Sequence, residues 1–317
     1  MNLKTFFISA CFLFPTQFCA SAADAFSRSA ETDDDKTTTE LVSKGDFESW
    51  TQQNIKESRL LGGRTVNVMG IGKPWGTSNV WARICGVTKT NVSMYCDQHP
   101  GHGHCAKLYT QIVEAKVLGV INIKVLAAGS IYLGDLIMPI KTTKNPQTKQ
   151  NSGMPFTKRP KALVFDYKVH IVKGNRINQN GVTKGSEVKG QDMADCILYL
   201  QKRWEDADGN IYAKRIGTMV KRFSSSTDWV NDASFTIHYG DITHESFYNS
   251  AWGLTSGILT KYARNSKGEM VPIKEVGWGD AGDKPTHLVL QFDSSYDGAY
   301  IGSPGNTLWI DNVRLAY

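Results

Sequence analysis

Hydrophobic and polar residues alternate with a period of two along much of this sequence, whereas long runs with helical periodicity are scarce. Residues 233–239 ("ASFTIHY") and 287–292 ("HLVLQF") show the alternation most clearly. In the second segment Leu288, Leu290 and Phe292 fall on one side, which is typical of a strand with one buried face. The pattern therefore predicts a chain made mostly of β-strands.

Turn residues support this interpretation. The segment "DCILYLQKRWEDADGNIYAKRIG" has two strand-like runs around Asp208–Gly209, and "KYARNSKGEMVPIK" repeats the arrangement around Lys267–Gly268. Such dipeptides between strand-like runs are typical of β-hairpins. Many strands with glycine-rich connections and no alternating helices predict an all-β fold, an antiparallel β-sandwich or jelly roll.

The first 22 residues have the features of a secretory signal peptide. Lys4 precedes an apolar run over residues 6–18, and a small-residue cleavage pattern follows at 20–22. An alternative is a lipoprotein signal, because Ile8-Ser9-Ala10-Cys11 resembles the bacterial lipobox with Cys11 as the lipidated residue. We therefore expect an exported protein, located in the periplasm, on the outer-membrane surface or in the medium.

The rest of the chain divides by composition. Residues 23–40 are polar and acidic and predict a disordered tether, and residues 41–317 predict a single β-sandwich domain. No later segment is apolar for long enough to predict a transmembrane helix. The formal net charge of +6 is spread along the sequence without a basic stripe, which argues against a nucleic-acid partner. We expect a monomer.

The decapeptide "CDQHPGHGHC" contains five side chains that can bind zinc: Cys96, His99, His102, His104 and Cys105. Its spacing matches none of the usual structural zinc patterns, and adjacent residues would have to converge on one ion. The prediction is a surface loop with adventitious metal affinity.

Removal of the signal peptide leaves four cysteines, Cys85, Cys96, Cys105 and Cys196. An even number in an exported protein suggests disulfide bonds, with three pairings open. One of these would close the decapeptide loop through Cys96 and Cys105.

Several catalytic signatures are absent from the sequence, including G-x-S-x-G, the phosphate-binding G-x-x-x-x-G-K and the zincin H-E-x-x-H. A glycosidase would instead need two carboxylates on either side of the scissile bond, which a linear sequence cannot locate. The conceivable members of such a pair are Asp166, Glu187, Asp192 and Asp195. The default interpretation of each is a solvated or hairpin-end acid, because charged groups are mostly exposed.

The two ends of residues 41–317 both predict strands with an inward carboxylate. In "SKGDFESW" alternation places Glu48 with Trp50, and in "NTLWIDNVRLAY" it places Asp311 with Trp309 and Val313. A carboxylate on an apolar face must be paired, hydrogen-bonded or metal-bound.

These ends resemble sugar-binding jelly-roll modules, whose first strand reads like G-x-F-E and whose last reads like I-D-x-V. In those modules the Glu and Asp belong to a structural calcium site, so the resemblance implies that Glu48 and Asp311 contribute to one here. A salt bridge or backbone hydrogen bonds without an ion is the alternative. No other cofactor is expected.

The resemblance extends along the chain through "GDFESW", "WGTSN", "AAGSIYLGDL", "GMPFTKRPKALVFDYKV" and "FDSSYDGAYIGSPGNTLWIDNVRLAY". Together these segments resemble the putative carbohydrate metabolism domain, a family of exported Bacteroidetes proteins. The resemblance implies a β-sandwich of galactose-binding or jelly-roll type and a link to polysaccharide use.

Sugar binding requires an exposed aromatic ring on which a pyranose can stack, with polar groups for its hydroxyls. The candidates in small-residue loops are Trp252, Trp278 and Tyr296, although each ring could instead pack beneath its loop. We expect an exported protein that binds a polysaccharide or oligosaccharide. A glycoside hydrolase is the alternative, and a structural or adhesin-like envelope protein is a third.

Overall fold

The computed structural model describes residues 37–117, 121–142, 144–181 and 184–317. Within these ranges the chain forms β-strands and four short 3-10 helices at Arg59–Leu61, Pro146–Lys149, Ser250–Trp252 and Gly257–Leu259. The strands are β1 (Thr39–Leu41), β2 (Thr51–Lys56), β3 (Thr65–Gly70), β4 (Trp75–Thr77), β5 (Val80–Ile84), β6 (Val87–Asn91), β7 (Met94–His99), β8 (Gly103–Tyr109), β9 (Gln111–Val117), β10 (Ile121–Ala127), β11 (Ser130–Leu136), β12 (Gln150–Ser152), β13 (Met154–Pro155), β14 (Ala162–His170), β15 (Asn175–Asn178), β16 (Asn180–Gly181), β17 (Ser186–Gln191), β18 (Ala194–Glu205), β19 (Ile211–Phe223), β20 (Thr227–Thr236), β21 (His238–Tyr239), β22 (Tyr262–Arg264), β23 (Met270–Trp278), β24 (His287–Asp293), β25 (Ile301–Gly302) and β26 (Thr307–Ala316).

Two large sheets form the sandwich. The six-stranded sheet has the order β20-β14-β26-β8-β7, with β1 added at β26. The ten-stranded sheet has the order β13-β24-β18-β19-β23-β22-β12-β11-β4, with β21 added at β19. Most pairs are antiparallel, and the pairs β19–β23 and β12–β22 are parallel.

The ten-stranded sheet closes on itself. Strand β11 pairs with β12 and also with β24, so the strands β24, β18, β19, β23, β22, β12 and β11 return to their starting point as a ring. Side chains hydrogen-bond across this ring: Gln150 and Lys261 both donate to Gln291 Oε1, at 3.2 and 2.7 Å. A closed ring of strands leaves a mouth in which a ligand can bind.

The main core lies between the two sheets. From the six-stranded sheet it receives Phe165, Leu308 and Ile310, and from the ten-stranded sheet Leu198 and Leu290, all fully buried. Because successive residues of a strand point to opposite faces, the odd-numbered residues of β18 and β24 face away from this core and into the ring. That second face carries the site described below.

Small hairpins stand beside the ring. β5 pairs with β6, and β9 pairs with β10. Glu57 fixes the first hairpin: its buried carboxylate accepts hydrogen bonds from the Thr90 backbone N–H at 2.9 Å and hydroxyl at 2.6 Å. Arg64 and Lys89 donate to the same carboxylate. Burial raises the pKa of Glu57, but the hydrogen bonds outweigh this effect and bring it to about 2.

The fold confirms the predicted all-β antiparallel sandwich and both predicted hairpins, β18–β19 and β22–β23. In β24, Leu288, Leu290 and Phe292 share the core face as predicted. Among the described residues the first strand begins at Thr39, and the predicted signal peptide and most of the predicted tether lie outside them.

The prediction of a strand over residues 43–50 was wrong. Residues 43–46 form a turn, and Lys44 and Phe47 have positive φ angles of 57° and 46°, which interrupt strand alternation. Phe47 is fully buried, whereas the Glu48 side chain is 44% exposed. Glu48 therefore does not point into the core.

The predicted alternation of the last strand also fails at one point. Asn312 has a positive φ of 50°, and the register of β14 against β26 shifts here. Both Ile310 and Val313 therefore face the core, and Asp311 points to the outer face of the six-stranded sheet. Trp309 lies on that outer face as well, where its Nε1 donates to Asp97 at 2.9 Å.

The predicted disulfide is not formed: Cys85, Cys96, Cys105 and Cys196 are free thiols. Cys96 lies opposite Ala106 in the β7–β8 hairpin, and Cys105 lies opposite Asp97. Since neighbouring residues of a strand point to opposite faces, the two side chains project from different sides of the hairpin.

Candidate functional site

A cavity of about 380 Å³ lies over the ring face of the ten-stranded sheet. Its floor is formed by side chains of β18, β19 and β24, and its walls include the β5–β6 and β9–β10 hairpins and the segment 250–261. This volume falls within the range of small-molecule sites in proteins. The cavity is therefore the leading candidate for a functional site.

Two carboxylates lie side by side on the cavity floor. Asp195 on β18 is directly opposite Asp293 on β24 in the antiparallel ladder. Asp195 is also directly opposite Arg222 of β19. Asp293 is also directly opposite Ser130 of β11. Directly opposite residues on one face have Cβ atoms about 4.5–5.5 Å apart, so the two carboxyl groups interact strongly.

The two acids differ in their surroundings. Asp195 is 8% exposed, and among the described residues its carboxyl receives no hydrogen bond. Burial raises its pKa well above the ordinary value, and the neighbouring charge of Asp293 adds to this, while Arg222 and Lys261 oppose it. Such a group stays protonated to higher pH than a normal aspartate.

Asp293 is stabilised as a carboxylate by several contacts. Burial raises its pKa, but Lys261 and hydrogen bonds from Ser130 and Gln291 oppose the rise. The Gln291 amide donates to Asp293 Oδ2 at 2.7 Å. Of the pair, Asp293 is therefore the better carboxylate and Asp195 the better acid.

Lys261 connects the charges of the site. Its ammonium donates to Gln291 Oε1 at 2.7 Å, and Gln291 in turn bonds Asp293. Burial lowers the pKa of Lys261, and the charges of Asp293 and Asp195 oppose this shift. The charge of Lys261 therefore favours the ionised form of both acids.

An aromatic group and a buried ion pair complete the site. Tyr296 lines the cavity, and the guanidinium carbons of Arg222 and Arg176 lie 4.3 and 4.4 Å from its ring centroid. Beneath the floor, Arg215 Nε donates to Glu275 Oε1 at 2.6 Å, with both side chains fully buried.

Glu275 also holds part of the cavity wall. It accepts hydrogen bonds from the backbone N–H and hydroxyl of Thr255, at 2.7 and 3.0 Å. Thr255 lines the cavity, so the buried Arg215–Glu275 pair fixes the segment 250–261 against the floor.

The three aromatic residues predicted from the sequence lie at different places. Tyr296 lines the cavity, and Trp252 packs beside it against the cluster of Ile197, Tyr199, Val220 and Val289. Trp278 lies near the end of β23, with the Arg215 guanidinium 5.8 Å from its ring, and is not among the cavity-lining residues. Its part in sugar binding stays a prediction.

Of the four predicted acids only Asp195 lies in the site. Glu187 is exposed on β17, and Asp166 lies on the six-stranded sheet. Asp192 is buried and hydrogen-bonded by Ser295 Oγ and the Ser303 N–H, both at 2.6 Å, as expected for a structural carboxylate.

Sequence reasoning missed Asp293, Lys261 and Arg222. The alternation of "HLVLQF" extended by one residue places Asp293 on the polar face of β24, so the orientation of this side chain could be predicted from the sequence. The pairing of β18 with β24 could not be predicted, because it joins distant parts of the chain and is visible only in the fold.

The residues predicted to bind calcium have protein partners. Asp311 is fully buried and its Oδ2 lies 2.8 Å from His99 Nδ1, while Glu48 Oε2 lies 2.9 Å from His104 Nδ1. Burial raises the pKa of Asp311 to about 6, and the His99 hydrogen bond opposes this rise. The calcium site stays a prediction.

Comparison with known proteins gives one family. Residues 46–247 match the family model of the putative carbohydrate metabolism domain. No curated protein matches the sequence. Within the described residues, no helix has both the length and the apolar character needed to cross a membrane.

Two solved structures are similar in fold. One is described as a putative glycoside hydrolase from Bacteroides thetaiotaomicron, with 18% identity, a TM-score of 0.44, and coverage of 84% of this chain and 71% of that chain. The other is described as a putative glycoside hydrolase from Bacteroides vulgatus, with 14% identity, a TM-score of 0.46, and coverage of 84% and 94%. Both similarities concern the fold alone.

Proposed function

Because the chain belongs to the putative carbohydrate metabolism domain family, we propose that it hydrolyses a glycosidic bond in the cavity above the ten-stranded sheet. The observation that supports this is the pair Asp195 and Asp293, directly opposite each other on the cavity floor with pKa values raised by burial. Paired carboxylates in unequal surroundings are what glycoside hydrolysis requires.

The unequal surroundings assign the roles. Asp195, protonated, donates its proton to the glycosidic oxygen as the bond to the anomeric carbon breaks and its electron pair stays on that oxygen. Asp293, whose carboxylate form is favoured by Lys261, Ser130 and Gln291 against the effect of burial, attacks the anomeric carbon. Water, deprotonated by Asp195, then displaces Asp293, which releases the sugar and restores both groups.

The ladder position of the pair is compatible with retention of the anomeric configuration. Cross-strand partners have Cβ atoms about 4.5–5.5 Å apart. Retaining enzymes have carboxyl groups about 5–5.5 Å apart, whereas inverting enzymes need about 6.5–9.5 Å to admit a water molecule. The carboxyl carbon of Asp lies one bond beyond Cβ, so this ladder position allows the retaining separation, and we propose Asp293 as the nucleophile.

A glycan-binding protein without catalysis is the second candidate. Tyr296 lines the cavity with its ring contacted by the guanidinium groups of Arg222 and Arg176, and the Trp252 ring packs next to the cavity floor. An aromatic ring beside charged and amide groups is the usual arrangement for sugar binding. Trp278 belongs to this proposal only if the glycan extends beyond the cavity.

The test is incubation of the protein with a panel of plant, fungal and mucin-type polysaccharides and oligosaccharides, followed by a reducing-end assay and affinity electrophoresis. Wild type should release reducing ends, and Asp195→Asn and Asp293→Asn should lose at least about 100-fold in rate while still binding. The control is Glu187→Gln, which removes an exposed carboxylate outside the cavity.

The outcomes separate the two candidates. Retardation in the gel without new reducing ends would replace hydrolysis by glycan binding. Release of reducing ends that survives in both Asn variants would place the catalytic pair elsewhere. Neither retardation nor release across the panel would leave a structural envelope role.

The setting of the activity is part of the proposal. The predicted signal peptide supports an exported monomer acting on polysaccharide or oligosaccharide at the cell envelope or outside the cell. A structural calcium ion at Glu48 and Asp311 is kept as a proposal. Fractionation of cells, gel filtration and calcium titration test these three points.

A further inference from the structure

A second group of chemically competent side chains lies on the other sheet. The ligand atoms of His99, His102 and Asp166 all lie within 4.8 Å of one another. His99 and Asp166 are each 2% exposed, and His102 is exposed. The cluster is on the outer face of the six-stranded sheet, so it is separate from the cavity and from the proposed hydrolysis.

Local structure explains why the two histidines meet. The His102 N–H donates to the His99 carbonyl at 2.9 Å, which closes a turn between β7 and β8. Gly101 has a φ of +81°, a conformation that favours glycine. The turn brings the two imidazole rings to a centroid distance of 4.2 Å.

Asp311 orients the buried histidine. Its Oδ2 lies 2.8 Å from His99 Nδ1, so Nδ1–H donates to the carboxylate and Nε2 carries the lone pair. Among the described residues Nε2 has no hydrogen-bond partner. Histidines that bind metal ions commonly donate one ring N–H to a carboxylate, which fixes the ring, and coordinate the ion through the other nitrogen.

Asp166 is fixed in place but not saturated. It is directly opposite Asp311 in the β14–β26 ladder. Its Oδ1 accepts from the Asp232 N–H at 2.6 Å, and its Oδ2 accepts from the Asn312 amide at 2.8 Å. The Arg314 guanidinium lies 3.7 Å from Oδ1. Two carboxylate oxygens have about four acceptor positions, so room for an ion remains.

One ligand must turn for an ion to bind. The His99 and His102 rings are stacked at an interplanar angle of 15°, and ring nitrogens bind ions in the plane of the ring. His99 is held by Asp311 and by Trp229, whose ring centroid is 3.7 Å away. His102 is exposed, and besides this stacking its ring makes, among the described residues, a 3.4 Å approach to the Asn231 amide, so this ring can rotate.

We infer that His99, His102 and Asp166 form a binding site for a divalent transition-metal ion, with Asp311 as the residue that orients His99. Two imidazoles and a carboxylate suit zinc, whereas calcium prefers oxygen ligands alone. The exposed side of the cluster leaves a coordination position for water. The ion would join the β7–β8 turn to β14.

The thiols of the same β7–β8 hairpin, Cys96 and Cys105, are not part of this site. Burial raises the pKa of Cys96 and that of Cys105, so both resist forming the thiolate that zinc binds. His104 is also outside it, because its Nδ1 is engaged by Glu48 at 2.9 Å.

The test is titration of the untagged, metal-free protein with zinc by calorimetry, and with cobalt by visible absorption. Wild type should bind one equivalent of zinc and show a rise in melting temperature. His102→Ala, at an exposed position, should abolish both effects, and Asp311→Asn should weaken binding about tenfold. The matched control is His104→Ala, which removes a neighbouring histidine and should bind zinc as wild type does.

The inference would be overturned by the absence of saturable binding at one equivalent, by a His102→Ala variant that binds zinc like wild type, or by a cobalt spectrum with a thiolate charge-transfer band. Competition by calcium at equal concentration would also overturn it and would support an oxygen-ligand site. A titration that His104→Ala weakens as much as His102→Ala would show that the loop binds zinc without the proposed ligand set.

Discussion

Replacement of Asp195 by Asn should make the protein more stable while removing its activity. Asp195 is 8% exposed, faces the carboxylate of Asp293 and receives no hydrogen bond from the described residues. A fold selected only for stability would not keep an acid there, because its ionised form is poorly accommodated. Asn has nearly the same shape and no charge.

The magnitude follows from linkage, because Asn keeps a buried polar group at this position and removes only the ionisation. Each tenfold decrease in the acid dissociation constant of Asp195 on folding costs about 1.4 kcal/mol at pH 7. At about 2 °C per kcal/mol for a domain of this size, Asp195→Asn should raise the melting temperature at pH 7 by about 3 °C for each such tenfold decrease. The loss of the general acid should lower the hydrolysis rate at least about 100-fold.

The gain in stability should depend on pH. Because the folded pKa of Asp195 is raised, the unfolded chain loses this proton first as pH rises above about 4. The contribution of Asp195 to stability therefore falls from that pH upward until the folded group also ionises. The melting temperatures of wild type and variant should be close at pH 4 and should diverge toward pH 7.

Thermal unfolding followed by circular dichroism between pH 4 and pH 8 measures this difference. A variant that is less stable than wild type at pH 7 would refute the reasoning, since it would mean that the carboxylate makes a stabilising contact. A difference that does not change with pH would refute it as well. Glu187→Gln, in an exposed acid, should leave the curve unchanged.

The remaining predictions concern the cavity and its walls. Lys261→Met should move the acid limb of the pH–rate profile to higher pH, because Lys261 lowers the pKa of Asp293, and an unchanged limb would contradict this role. Glu57→Gln should lower the free energy of unfolding at pH 7 by about 1.5–3 kcal/mol, since the ionised carboxylate holds several hydrogen bonds. With a folded pKa of about 2, that stabilisation is present above the ordinary pKa of 4.5 and is lost as pH falls toward 2, so urea unfolding at pH 7 and pH 3 should show the deficit shrink. Tyr296→Ala should weaken glycan retardation in affinity gels about tenfold. Trp278→Ala should leave it unchanged if the glycan stays within the cavity.

The sequence predicted where strands and turns occur better than it predicted which way individual side chains point. The alternation that defines β24 and the Asp208–Gly209 turn are local properties, and both appear in the fold as expected. Residues 43–50 and Asp311 were misplaced because a positive φ at Phe47 and at Asn312 breaks the alternation, and nothing in the residue types requires this.

The site depends on contacts that alternation does not encode. Asp195 was one of several plausible acids, and its distinction comes from lying opposite Asp293 in a ladder between distant strands. Lys261 reaches Gln291 only because the sheet closes into a ring. The histidines of the decapeptide were noticed, but Asp166 and Asp311 come from β14 and β26. Long-range pairing decides all three cases.

The measurement that tests the central claim most directly is covalent labelling of the nucleophile. The protein would be incubated with a panel of 2-deoxy-2-fluoro glycosides bearing good leaving groups, digested, and analysed by mass spectrometry. Hydrolysis by the proposed route predicts one fluoroglycosyl group on the peptide that contains Asp293 and its absence in Asp293→Asn. A label on another carboxylate, or hydrolysis products with inverted anomeric configuration, would contradict the account.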